Sequence, residues 1–160
     1  MFKKLMIAAV LLVAFSSCKT KTAFNYSEDF VKKESSLLPD INSTEDNVMR
    51  YAAAQQYDSI AIAGERMEKL VDVKLQEITK TPAPDVKDGQ NFKDACIKYF
   101  GYIKSLYTGY KEYGLADTDE ARKEAGKKIS ELSAGKQEVI NEMQTAQKKF
   151  ADANGFKLKN

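Results

Sequence analysis

Histidine is absent from all 160 residues of this sequence. Its absence removes Ser-His-Asp and Cys-His nucleophilic catalysis, His-ligated zinc, and the Glu-x-x-His ligand pairs of di-iron helical bundles. Glycine is scarce, with eight residues scattered along the chain and none following a strand pattern, so no phosphate-cradling loop can be drawn. Cysteine is limited to Cys18 and Cys96. If Cys18 is modified, Cys96 cannot close an internal disulfide, and the fold must rest on its core. Cys96 also lies on an apolar helical stripe, where a thiol packs as a small hydrophobe and lacks the cationic setting that would activate it. Net charge is missing too. The chain has 25 Lys+Arg against 23 Asp+Glu, and the excess is Lys3 and Lys4 near the N-terminus. The remainder is balanced, which gives no electrostatic case for nucleic acid. No apolar run is long enough to span a membrane: Leu5 to Phe15 holds eleven residues, against the roughly 20 that a spanning helix needs.

What is present begins with that short run. Two lysines, an apolar segment and the small residues Ser16 and Ser17 follow the order of a secretory signal peptide over residues 1–17. The next residue is Cys18. The segment Phe15-Ser16-Ser17-Cys18 resembles the lipobox of bacterial lipoproteins, with Phe15 where Leu is most usual. The resemblance implies cleavage before Cys18 and a lipid on its sulfur. The alternative is an ordinary cut after Ser16 or Ser17 that leaves Cys18 a plain thiol. Several acyl chains hold a protein firmly on a membrane, each buried methylene contributing about 0.8 kcal/mol. Lys19 follows the cysteine where an Asp would resemble an inner-membrane retention signal, so the expected location is the outer membrane, with its periplasmic face favoured and the cell surface the alternative.

The rest reads as an all-α, up-down bundle of about four helices with a short or kinked first helix. Residues 18–26 are expected to be a lipid-anchored tether and residues 27–160 the bundle. Ser27 is a candidate cap for the first helix, with Phe30, Val31, Leu37 and Leu38 at helical spacing. Pro39 then breaks or kinks it, with a restart at Asn42 and Glu45 in capping-box register; a single helix kinked at Pro39 is the rival reading. A second helix is expected from about Thr44 to Thr79, carrying Met49, Ala53, Ile60, Gly64, Met67, Val71 and Ile78 on one seam. Its small residues predict a close helix crossing. Pro82, Pro84 and the Asp88-Gly89 pair mark a loop. The third helix, about Asn91 to Gly114, repeats Phe92, Cys96, Tyr99, Ile103, Leu106, Tyr110 and Tyr113 at alternating steps of four and three, the pattern of shallow bundle or coiled-coil packing. Asp117 and Glu120 form a capping pair for the fourth helix, and Asn154 and Gly155 stop it with Phe156 free to fold back.

Acids mostly have a Lys three or four residues on, as in Glu28 with Lys32 and Asp29 with Lys33, the pattern of solvated helix faces. Glu34 is the exception. It stands between Phe30 and Leu37 on the seam, either buried with a raised pKa or reaching water at a frayed helix edge, and the latter is expected. Tyr99, Tyr102, Tyr107, Tyr110 and Tyr113 crowd the third helix over more of its circumference than one seam requires. They form either an aromatic core with partnered hydroxyls or a face that binds a glycan, peptide or partner helix. Gly101 and Gly109 in the same helix offer room for close approach.

The segment Asp88 to Tyr113, with Phe92-Lys93-Asp94-Ala95 opening an aromatic-rich helix, resembles the central helix of uncharacterised helical-bundle surface lipoproteins of didermic bacteria. That resemblance implies a tethered bundle and assigns no functional residue. The expected function is a membrane-anchored envelope lipoprotein that acts as a non-enzymatic protein-interaction module with an envelope protein as partner. The alternative is a small-ligand or glycan binder that uses the tyrosine-rich helix. No enzyme activity, cofactor, metal or nucleic-acid partner is expected.

Overall fold

Heptad-spaced apolar residues commit the chain to helices whose stripes must be covered, and in the computed structural model, which describes residues 18–158, four helices cover one another. They are α1 (Cys18–Ala53), α2 (Tyr57–Lys80), α3 (Gly89–Leu115) and α4 (Asp119–Ala153). Short connections make sequential helices antiparallel neighbours: α2 packs on α1 and α3, α3 on α4, and α4 returns to α1. Cys18, the 81–88 loop and the α4 C-terminus share one end, where Phe24 meets Phe156 edge-on at 6.0 Å and Asn154 Nδ2 donates to Lys87 O. Residues 54–56 and 116–118 lie at the other, distal end, where Tyr57 meets Tyr113.

Three boundary expectations are corrected. Residues 19–26 are the first turns of α1 and not an extended tether, because Ala23 and Phe24 carry the apolar stripe back to Cys18 and find the bundle end to cover them. Ser27 is accordingly no cap; it is buried within α1 and accepts from Gln147 Nε2 of α4 at 3.3 Å. Of the two readings of Pro39 the single helix is the one found, since Pro39 does not end α1 and Asn42 does not restart it, and at 36 residues α1 is not short. Proline removes the amide that Ser35 O would accept, but Pro39 and Ser35 are both exposed, so water can take that carbonyl.

The break falls instead inside the expected second helix, at Ala54 to Gln56, so Met49 and Ala53 belong to α1 and are exposed. There the Gln56 amide donates to Tyr51 O at 2.9 Å, the Gln55 amide donates to Ala52 O at 3.1 Å, and Gln55 sits at φ 55°. This is a Schellman ending with glutamine in the left-handed position that normally takes glycine. The same motif ends α4, with Phe156 N bonded to Ala151 O, and there the left-handed residue is Gly155 at φ 71°. Phe156 does fold back, packing on Phe150 at 5.8 Å. The cap of α4 is Thr118, whose hydroxyl accepts from the Ala121 amide at 3.1 Å, and not Asp117.

The predicted close crossing is that of α2 with α3. A Cβ on Gly64 would stand 2.6 Å from Lys111 N, and one on Gly114 would stand 2.4 Å from Ala61 N. Backbones meet there because neither glycine has a side chain. Nearer Cys18 the core is aromatic: Phe92 stacks on Phe150 at 4.7 Å, and Phe30 of α1 meets Phe92 and Phe100 edge-on at 5.7 Å. Cys96 is buried in this cluster, where burial raises its thiol well above the ordinary range.

Candidate functional site

The tyrosines of α3 do not form one face. Tyr99 and Tyr107 are fully buried in the core, whereas Tyr102, Tyr110 and Tyr113 are half-buried. Their scatter around the helix has a simple cause: α3 touches α2 and α4 along its flanks and reaches α1 across the bundle, so more than one side is covered, while Asp94, Lys98, Ser105 and Glu112 form a stripe that faces water. Tyr113 lies over Gly126 and against Tyr57, whose ring also receives the Arg122 guanidinium at 3.8 Å. The expectation of a five-tyrosine binding surface therefore gives way to a core role for Tyr99 and Tyr107. Of the five, Tyr102 lines an open groove. It runs between α3 and α4, about 610 Å³ in volume, with Lys98, Leu132, Gly135 and Glu138 among its walls. Gly101 has open space where a Cβ would stand, and Gly109 faces the Ile129 side chain at 3.0 Å, so neither marks a close approach by a neighbouring backbone.

Two tyrosine hydroxyls answer to carboxylates of α1. Tyr99 Oη donates to Glu34 Oε1 at 2.6 Å, and Tyr110 Oη donates to Glu45 Oε2 at 3.1 Å. Glu34 is 4 % exposed, so the expected frayed edge is corrected: the helix extends well before and after it, and Phe30 and Leu37 bury the side chain with them. Burial pushes the Glu34 pKa up to about 7, only partly offset by the Tyr99 hydrogen bond. Burial likewise raises Glu45, partly offset by the Tyr110 and Tyr107 hydroxyls and the nearby charge of Lys136. Each carboxylate keeps one buried oxygen, Glu34 Oε2 and Glu45 Oε1, that meets no donor among the described residues. The phenols respond in kind: burial, then the carboxylate, lifts Tyr99, Tyr107 and Tyr110 above the ordinary range.

Glu45 was hidden in the sequence by its register with Asn42, which made it look like a capping residue. Its neighbours Ile41 and Val48 repeat the flanking pattern of Phe30 and Leu37 around Glu34, and that repeat was the available signal.

A second feature escaped the heptad reading because it lies off the seams. Ile62 is 68 % and Leu115 is 66 % exposed, and together with Asp58, Ala61, Glu65 and Lys111 they line a shallow groove of about 410 Å³ at the distal end. Met49, 54 % exposed, stands in the same half of the bundle. Cys18, the expected lipid site, is exposed at the opposite end. The apolar run before it lies outside the described residues. Among the described residues no helix is long and apolar enough to cross a membrane, and no cluster of acids and cysteine is arranged to hold a metal ion.

No protein-family model matches this chain, and neither a curated protein nor a solved structure is significantly similar to it.

Proposed function

We propose that this protein is a lipid-anchored envelope lipoprotein, held by Cys18 at the periplasmic face of the outer membrane, that acts as a non-enzymatic interaction module and presents its distal end to another envelope protein. One observation carries the reading: large apolar side chains stand exposed at the end of the bundle away from Cys18, rimmed by the charges of Asp58, Glu65 and Lys111. Exposed apolar groups within a polar rim are characteristic of surfaces that meet other proteins. α1 starts at Cys18 itself, so at 1.5 Å per residue Met49 stands roughly 45 Å from the anchor. A rigid spacer of that reach suits recruitment at a distance from a membrane.

Chemical cross-linking in producing cells tests this. The wild-type chain is expected to yield one abundant envelope partner. A double variant, Ile62→Lys with Leu115→Lys, should lose it severalfold while keeping its helical circular dichroism, since both side chains already face water. Equal recovery of the partner by both proteins would show that the distal end is not the docking surface.

The ligand-binding alternative keeps one supporting feature, the groove beside Tyr102. Glycan and peptide screening with the wild type and a Tyr102→Ala variant tests it, and binding that ignores the substitution removes Tyr102 from the reading.

A further inference from the structure

We infer that α1 exchanges between two copies of this chain, the Ala54 to Gln56 turn straightening so that α1 and α2 become one helix and each α1 docks on the other copy's α2–α3–α4 core. The turn is three residues long, and every one of them is a good helix former. The left-handed conformation of Gln55, at φ 55°, and the non-helical Gln56 that follows, at φ −87° and ψ 69°, reverse the chain there. The contrast with the α4 ending is internal to the molecule: the same pair of hydrogen bonds closes both, but α4 places Gly155 at the left-handed position and α1 places a residue with a side chain. A short connection under backbone strain is the usual origin of exchange between copies.

The start of α2 makes straightening easy. Gln56 gives α2 no side-chain cap, so no capping bond is lost, and the first amides of α2 gain helical carbonyls from the turn. Every core contact of α1 survives the exchange, because each α1 finds an identical core: Phe30 still meets Phe92 and Phe100, and Glu34 still accepts from Tyr99. Direction is conserved too. In a two-fold arrangement centred on the straightened turns, the two α2 helices run antiparallel, so each α1, continuing its own α2, lies antiparallel to the α2 it joins, as within one chain. The same arrangement brings two distal ends together, where Ile62 and Leu115 stand exposed. For those two residues alone the inference rests on the docking surface proposed above: in the exchanged dimer a second copy covers the surface that the single chain presents to another envelope protein.

Lys33 of α1 and Lys74 of α2 supply the readout. Their ammonium groups approach the same carboxylate, Glu77, at 3.7 and 3.6 Å, so a short amine cross-linker joins them in either arrangement. Full-length chain made with heavy and with light nitrogen is mixed one to one, unfolded together in denaturant, refolded at high concentration, separated by size and cross-linked. The exchanged dimer should carry roughly half of its Lys33–Lys74 links between heavy and light chains, as random pairing of identical units requires. A Gln55→Gly variant, which relieves the left-handed position, should reduce that dimer severalfold. A refolded product whose Lys33–Lys74 links are all within one isotope overturns the inference, and so does a mixed fraction that Gln55→Gly leaves unchanged. A dimer or an envelope partner cross-linked at the distal end without mixed Lys33–Lys74 links overturns the exchange and leaves the docking surface standing.

Discussion

Glu34 and Glu45 place two carboxylates on the inner face of α1, each with one phenol donor in hydrogen-bond contact and one oxygen that no group among the described residues satisfies. For Glu34 the pKa rises from 4.5 to about 7 on folding. Between those values the folded chain binds a proton that the unfolded chain has released, so stability falls as pH rises from about 4.5 through 7 and stays low above it. The separation corresponds to roughly 3 kcal/mol. Glu45 acts in the same direction. Glu34→Gln keeps an acceptor for Tyr99 and removes the buried charge, so denaturant unfolding at pH 8 should show it more stable than wild type by about 1–3 kcal/mol, with the two converging towards pH 5 and the residual slope left to Glu45. A variant less stable than wild type at pH 8 would show that the carboxylate stabilises α1. The sequence marked Glu34 as anomalous by its place on the seam. It did not reveal the outcome, because the partner phenol is 65 positions away and local spacing carries no information about it.

At the scale of elements, the most legible feature was the α3 heptad: Phe92, Cys96, Tyr99, Ile103 and Leu106 are all buried. The small-residue stretch of α2 was legible for the same reason, since a side chain's size is written in its name. Helix ends were harder. Pro39 is a strong breaker by propensity, yet exposure lets water satisfy the carbonyl it orphans, while the true break at Gln55 has no glycine or proline to announce it. The starts of α1 and α4 were misplaced because Ser27 and Asp117 are as good caps by type as the residues around them, and only packing chooses. The glycines separate close approach from mere presence. Gly114→Ala would push a methyl into the α2 backbone, and Gly101→Ala would meet nothing within 4 Å. Thermal and denaturant unfolding should therefore show Gly114→Ala destabilising by about 2–4 kcal/mol, whereas Gly101→Ala, within a helix, should stabilise by about 0.5–1 kcal/mol. Similar costs for both would mean that the two helices can move apart to absorb a methyl.

Taken as a whole molecule, the bundle has unlike ends: aromatic packing closes the end that carries Cys18, and of the large exposed apolar side chains Met49, Ile62 and Leu115 stand in the other half, with Val73 in the half nearer Cys18. The four-helix architecture followed from periodicity, whereas the exposed distal surface did not, because Ile62 and Leu115 lie beside the buried Ala61 and Gly114 and only the assembled fold shows which of two neighbours is covered. The tyrosine-rich helix misled in the opposite sense, since a helix packed against three others carries apolar residues on more than one side and a sequence cannot say which helix that is. On the present reading the molecule works by holding its distal end at a fixed distance from a membrane, and everything in that reading depends on Cys18. The most direct test is the mass of the N-terminal peptide of the protein purified from producing cells. The expected peptide begins at Cys18 and carries a diacylglycerol on the sulfur. A peptide that begins elsewhere, or an unmodified Cys18 thiol, would contradict the account.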